Sequence, residues 1–182
     1  MAMIYLVRHG KAAASFTDDI DPGLDNLGIN QAEKVSESLL ESMPLEILSS
    51  PLLRAQETAA PFANKTGLNI CIENRVSEVP SPNLSLPERG AWLSAVMQGL
   101  WSEQSESLRN WRNELAKCLL SIDTDTVIFS HFVAINAAVS LAENSDHVLM
   151  FRPDNCSVTA IETDGSALRM IRRGQEAETK VN

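Results

Sequence analysis

The sequence predicts an α/β domain, a three-layer α/β/α sandwich around a mainly parallel central sheet. Two observations carry that expectation. Short, continuous apolar runs recur along the chain, IYLV at residues 4–7 being the first, and they suit strands covered on both faces better than alternating surface strands. Between them lie longer stretches with apolar residues at helical spacing, so strands and helices alternate as they do in layered parallel sheets.

The first strand, residues 4–7, ends abruptly in Arg8-His9-Gly10. A turn-rich loop, DIDPGLDNLG, follows at 19–28, and a helix at 28–42 carries Ile29, Ala32, Val35, Leu39 and Leu40 at helical spacing. LEILSS at 45–50 is the second strand, and the helix at 51–65 starts with proline, whose missing N–H is harmless there. LNICI at 68–72 is the third strand. EVPSPNLSLP, residues 78–87, is an irregular loop with three prolines. Helices are predicted at 87–100 and at 105–120, the latter with Leu108, Trp111, Leu115, Cys118 and Leu119 on one face. TVIFS at 126–130 is the fourth strand, a helix follows at 131–142, and SVTAIE at 157–162 is the fifth strand. The domain is read as residues 1–173, with GQEAETKVN at 174–182 as a flexible C-terminal tail without apolar periodicity.

The chain of 182 residues suffices for one core, and its 44% hydrophobic and 21% charged residues are ordinary for a globular protein. Lys and Arg number 15 against 24 Asp and Glu, a net charge of -9 that repels nucleic acid and anionic lipid at long range. An anionic substrate must then be captured by a local cluster of positive groups. Cys71, Cys118 and Cys156 form no CxxC pair and are expected to be reduced, buried thiols. The apolar run before Arg8 is short of a signal-sequence core, and no stretch approaches the roughly 20 apolar residues of a membrane span. The expectation is a cytoplasmic protein.

In open α/β sheets the ligand site lies beyond the carboxyl ends of the strands. Arg8 and His9 follow the first predicted strand, Arg54 follows the second, and His131 follows the strand at 126–130. Arginine offers a planar fork of donors matched to phosphate oxygens, so two arginines beside two imidazoles form an anion trap suited to a phosphoryl group. A neutral imidazole can attack phosphorus and become a phosphohistidine, and nearby guanidinium groups favour the neutral form. Taken singly each residue has a plainer reading: His9 a packed strand cap, Arg54 a partner of Glu57, His131 a core histidine. Their convergence outweighs those readings.

These residues carry a resemblance to the histidine phosphatase superfamily, also called phosphoglycerate mutase-like. LVRHG at 6–10, LDNLGINQA at 24–32, SSPLLRAQETA at 49–59, RVSE at 75–78 and VIFSHFVAINA at 127–137 resemble its motifs in their order. The resemblance implies a phosphoglycerate mutase-like fold and a metal-independent phosphomonoester hydrolase of the histidine acid phosphatase type, needing no cofactor. His9 would accept the phosphoryl group, Arg8 and Arg54 would bind it, and His131 would both contact it and stabilise its charge. Glu78 would protonate the leaving oxygen and later activate water, although Glu73 and Glu88 lie close by in sequence. The expected partner is a phosphorylated small molecule, with a homodimer among the assembly states left open. Alternatives are a phosphohistidine protein phosphatase, a phosphoglycerate mutase, or a catalytically weak phospho-ligand binder.

The chain also departs from the family pattern. Lys11 and the run Ala12-Ala13-Ala14 replace more polar loop residues, and Phe132 stands where a glycine normally follows the second histidine. Phe132 must therefore either shape the pocket or displace the backbone. The segment from Val79 to Asn110 is expected to cover part of the site. Trp92, Trp101 and Trp111 are read as core or lid packing, and His147 as structural.

Overall fold

The structure, a computed structural model, describes residues 1–15 and 18–177. Its strands are β1 (Ala2–Arg8), β2 (Glu46–Ser49), β3 (Ile70–Ile72), β4 (Thr126–Ser130), β5 (Val158–Thr163) and β6 (Leu168–Arg172). Its helices are α1 (Asn26–Leu40), α2 (Leu53–Thr66), α3 (Leu86–Gln98), α4 (Glu106–Leu120) and α5 (Phe132–Ala142). The strands form one six-stranded sheet in the order β3-β2-β4-β1-β5-β6. β1 to β4 pair in parallel, whereas β5 runs antiparallel to β1 and β6 antiparallel to β5.

Alternation along the buried strands builds two cores, one per face. Ile4, Leu6, Ile128 and Ile161 pack with Leu115 and Leu119 of α4 and Val133, Ile135 and Ala138 of α5. Val7, Ile47, Val127 and Phe129 point the other way, onto Val35 and Leu39 of α1 and Ala55, Ala59 and Phe62 of α2. The three layers follow, since a sheet apolar on both faces must be covered on both. Phe62 is fully buried, and its truncation to alanine would cost about 3–5 kcal/mol through lost burial and a residual cavity. Trp101 is a core residue, buried 6.1 Å from Trp111 and with the Arg112 guanidinium 5.3 Å over its ring, while Trp92 and Trp111 are half-buried and pack against that core.

Register decides where the polar residues emerge. Arg8 pairs with Ser130, and Ser49 with Phe129, so β1, β2 and β4 end level. The ladder runs one residue further, His9 N donating to Ser130 O at 3.0 Å and Ser50 N to Phe129 O at 3.0 Å. Because β5 is antiparallel, with Val158 opposite Val7, the segment entering it also arrives at this edge.

Gly10 and Gly28 permit a close approach between α1 and the chain after β1. A Cβ on Gly10 would lie 2.6 Å from Gly28 O, and one on Gly28 would lie 2.2 Å from Lys11 O. The contact is reinforced by Asp25, which caps α1 by accepting from Gly28 N at 2.7 Å and pairs with Lys11 at 2.9 Å.

Three expectations need correction. First, Cys118 is buried, but Cys71 is exposed on the short edge strand β3 and Cys156 is only half-buried; all three are free thiols. Second, the domain extends beyond residue 173. Gly174 is buried, Gln175 O accepts from Asp154 N at 2.9 Å, and Ala177 N donates to Arg152 O at 2.9 Å. Backbone pairing, which needs no apolar pattern, holds these residues; 178–182 of the expected tail lie outside the described residues. Third, β6 is an additional strand, an edge strand on which Leu168 and Met170 pack against the core while charged residues flank them, leaving little apolar signal.

Candidate active site

His9 is reached by the end of β1 and held on every side. Its backbone N–H donates to Ser130 O, and its carbonyl accepts from Asn155 Nδ2 at 2.9 Å. On the ring, Nδ1 lies 2.7 Å from Gly10 O and Nε2 lies 3.2 Å from Arg54 Nε. Gly10 O and Arg54 Nε–H can satisfy the ring in only one neutral form, with the proton on Nδ1 and the Nε2 lone pair accepting from Arg54. Burial, reinforced by the positive charges of Arg54 and Arg8, lowers its pKa from the ordinary 6.5 to about 3. The ring is therefore neutral at physiological pH, with its nucleophilic nitrogen facing a guanidinium.

Arg54 sits in the first turn of α2, which begins just past the carboxyl end of β2, and its side chain is buried despite its charge. Asp21 fixes this turn: its Oδ1 accepts from Leu53 N at 2.8 Å and lies 3.8 Å from Arg54 Nη1. Thr58, one turn on, bonds Arg54 O at 2.6 Å and accepts from Gly10 N at 3.0 Å, tying α2 to the loop after His9. Arg8 donates Nη1 to Pro153 O at 2.9 Å and lays its guanidinium 5.2 Å from the Phe132 ring centroid. Its Nε is buried without a hydrogen-bond partner. A buried guanidinium with a donor to spare is suited to hold an anion.

His131 is fully buried at the N-cap of α5, with its ring centroid 5.2 Å from that of His9. Its Nε2 lies 2.7 Å from Ser50 Oγ, and its Nδ1 has no hydrogen-bond partner. Burial, then the charges of His9, Arg54 and Arg8, pushes its pKa well below the ordinary value. The N-terminus of α5 adds its own positive dipole end at this edge.

Glu78 is placed by its neighbours: Ser130 Oγ donates to Val76 O at 2.6 Å, and Val79 is buried in the core. Burial raises the Glu78 pKa, although Val79 N donates to its Oε1 at 2.9 Å and Arg54 and Arg8 favour the charged form. The two neighbouring carboxylates are engaged elsewhere. Glu73 grips Arg75 at 2.6 Å, and Glu88 caps α3 through Ser85. Of the three, only Glu78 lines the cavity.

That cavity, about 660 Å³, opens beyond the sheet edge. Arg8, His9, Arg54 and Glu78 line its inner end, while Leu93 and Met97 of α3 contribute to its outer wall, so the 79–110 segment does cover part of it. Phe132 lines it too and begins a regular helix, so it shapes the pocket and does not displace the backbone. Ser50 and Thr58 fall within the segment SSPLLRAQETA but carry no individual role in the sequence reading, and Arg152 and Asn155 are absent from it. The polar cluster Arg152-Pro153-Asp154-Asn155 before an apolar strand was the signal for the last two. Cys156, in the left-handed region at φ 57°, makes the tight bend there and donates its N–H to Arg8 O at 2.9 Å. Among the described residues, no group of three or more His, Cys, Asp or Glu is placed to hold a metal ion.

The arrangement combines an unprotonated imidazole, two guanidinium groups and a carboxyl group whose burial favours its protonated form around one cavity, with a second imidazole buried behind His9, its ring centroid 5.2 Å away; this is the equipment of phosphoryl transfer. The comparisons agree. The probable phosphoglycerate mutase GpmB of Yersinia pestis is 28% identical over 186 residues, covering 89% of this chain and 85% of that one. Among solved structures, a mycobacterial glucosyl-3-phosphoglycerate phosphatase superposes with a TM-score of 0.75 at 22% identity, covering 94% of this chain and 98% of its own. A phosphoserine phosphatase from Entamoeba histolytica gives 0.74 at 18% identity, covering 96% and 98%. Both share the fold. The sequence profile of the histidine phosphatase superfamily (branch 1) matches residues 4–175, and the chain belongs to that family.

Proposed function

We propose that the protein hydrolyses phosphomonoesters through a phosphohistidine on His9. The observation that carries this reading is the fixed state of His9, neutral, with Nδ1 on Gly10 O and Nε2 on Arg54. When substrate enters, Arg8 and Arg54 take its phosphoryl oxygens, which frees the Nε2 lone pair. Nε2 attacks phosphorus, the bond from phosphorus to the ester oxygen breaks, and Glu78 gives its proton to that oxygen. In the second step the Glu78 carboxylate takes a proton from water, the oxygen attacks phosphorus and the P–N bond breaks. One carboxyl group serves both steps because the second proton transfer reverses the first. His131 faces the charge that builds on the transferring oxygens.

The reaction proposed needs no metal, as in a hydrolase of the histidine acid phosphatase type, and turnover is expected to survive chelation. The substrate is taken to be a small phosphorylated molecule, for which a cavity of about 660 Å³ has room. A cytoplasmic setting fits the three free thiols, and no described helix is long and apolar enough to cross a membrane.

A second reading, mutase activity on phosphoglycerates, is favoured by the name of the Yersinia relative. Assays with p-nitrophenyl phosphate and 3-phosphoglycerate, for the wild type and His9→Ala, separate the readings. Phosphate release that vanishes in His9→Ala supports the hydrolase. Conversion between phosphoglycerates without phosphate release supports the mutase, and binding without turnover supports a phospho-ligand binder.

A further inference from the structure

The hydrogen bonds around Ser50 bear on how His131 works. Ser50 follows β2 and is fully buried. Its Oγ accepts from Leu52 N at 3.2 Å, and it lies 2.7 Å from His131 Nε2. A serine hydroxyl has one hydrogen to give. If His131 Nε2–H donated to Ser50, the oxygen would take two donors, its own hydrogen would lack an acceptor, and the unpartnered Nδ1 would be a bare lone pair. The opposite arrangement satisfies the serine fully: Leu52 N–H into Oγ, and Oγ–H into Nε2. It leaves one unpaired group on the histidine, an N–H at Nδ1. A phosphoryl oxygen is an acceptor only, so a lone pair at Nδ1 would repel what an N–H would hold.

We propose that Ser50 is a positioning residue that fixes His131 as the Nδ1–H tautomer, so that a neutral imidazole presents an N–H to the transferring phosphoryl oxygens. The proposal rests on the phosphatase reading for the identity of that acceptor, but not for the tautomer itself. His9 and His131 then carry their protons on the same ring nitrogen for opposite purposes. Gly10 O takes the Nδ1–H of His9 and leaves Nε2 as a nucleophile, while Ser50 occupies Nε2 of His131 and leaves Nδ1–H as a donor. Burial and the neighbouring guanidinium groups support this division, since an imidazolium at His131, buried beside Arg54 and Arg8, would be disfavoured.

The test is the two-bond proton–nitrogen NMR spectrum of ¹⁵N-histidine-labelled protein at neutral pH, with His131 assigned by substitution. The expected result is a protonated Nδ1 and a bare Nε2 for His131, with the Nδ1 signal moving when inorganic phosphate is added. A protonated Nε2 in the wild type overturns the proposal, and this reading needs no variant to fold. Ser50→Ala is expected to lower kcat for p-nitrophenyl phosphate roughly 10- to 100-fold, with little change in KM, and to mix the tautomers. Ser50→Thr, which keeps the hydroxyl, is expected to restore both. Unchanged kcat with an unchanged tautomer in Ser50→Ala overturns the assignment to Ser50. If the wild type itself shows no turnover above His9→Ala, the phosphatase reading fails, while the spectrum still decides the tautomer.

Discussion

The cavity has two unlike ends. Its inner end is made of side chains that the sheet cannot help but place: His9 and Arg54 are buried there, with His131 buried behind His9, and each emerges where a strand ends or its following helix begins. Its outer wall comes from the loop after Gly10 and from one side of α3, with Lys11, Asp18 and Asp19 exposed and Leu93 and Met97 half-buried. The inner end is over-determined by backbone pairing and two apolar cores; the outer wall rests on caps and single ion pairs such as Lys11 with Asp25. Chemistry that requires preorganised charge belongs at the first, and selection among leaving groups belongs at the second.

The strongest challenge to this division is His9→Ala, which is expected to reduce turnover of every phosphomonoester by roughly 10⁴-fold or more, read as kcat/KM. Arg54→Ala comes next, with an expected loss of about 10²- to 10³-fold; a normal rate in that variant would remove the anion trap from the account.

Glu78→Gln sharpens the comparison by leaving group. Alkyl phosphates should slow by about 10²-fold or more, since their oxygen needs the proton, and p-nitrophenyl phosphate much less. Burial raises the Glu78 pKa, so its acid form persists to higher pH than an ordinary carboxyl. The rate on alkyl phosphates should therefore fall as pH rises through that pKa, and the glutamine variant should lose this limb.

The buried histidines also make a prediction about stability. His9 has a pKa of about 3 when folded against an ordinary 6.5, so its contribution is intact above pH 6.5 and is lost as pH falls toward 3. Denaturant titrations across that window should show proton uptake on unfolding, worth about 1.4 kcal/mol per pH unit per proton. His9→Gln should remove about one proton of it. At the outer wall, Leu93→Ala and Met97→Ala should shift the preference among leaving groups by roughly tenfold in KM while leaving kcat on p-nitrophenyl phosphate close to wild type. A large kcat loss there would mean that the two ends are not separable.

The same division explains what was legible in the sequence. Arg8, His9 and His131 stand where a strong apolar run turns polar, and Arg54 stands in the helix after such a run, so their shared edge follows from the parallel register alone. Asn155 and Arg152 were not read because they reach the site through the antiparallel entry of β5, and direction is not written in an apolar run. Ser50 stands out in the sequence as part of the polar signal after the second strand, but its bond to His131 spans a chain separation of 81 residues that no local pattern shows. The packing of Gly174 to Ala177 rests on backbone pairing, which is blind to side-chain type.

The most direct measurement is rapid acid-free quenching of the enzyme with a labelled phosphomonoester during turnover, followed by mass spectrometry of the digested chain. The account predicts a phosphoryl group on the ring of His9, stable in base, labile in acid and absent from His9→Ala. Turnover at full rate with no phosphoryl group on that histidine, or with the group on another residue, would contradict it.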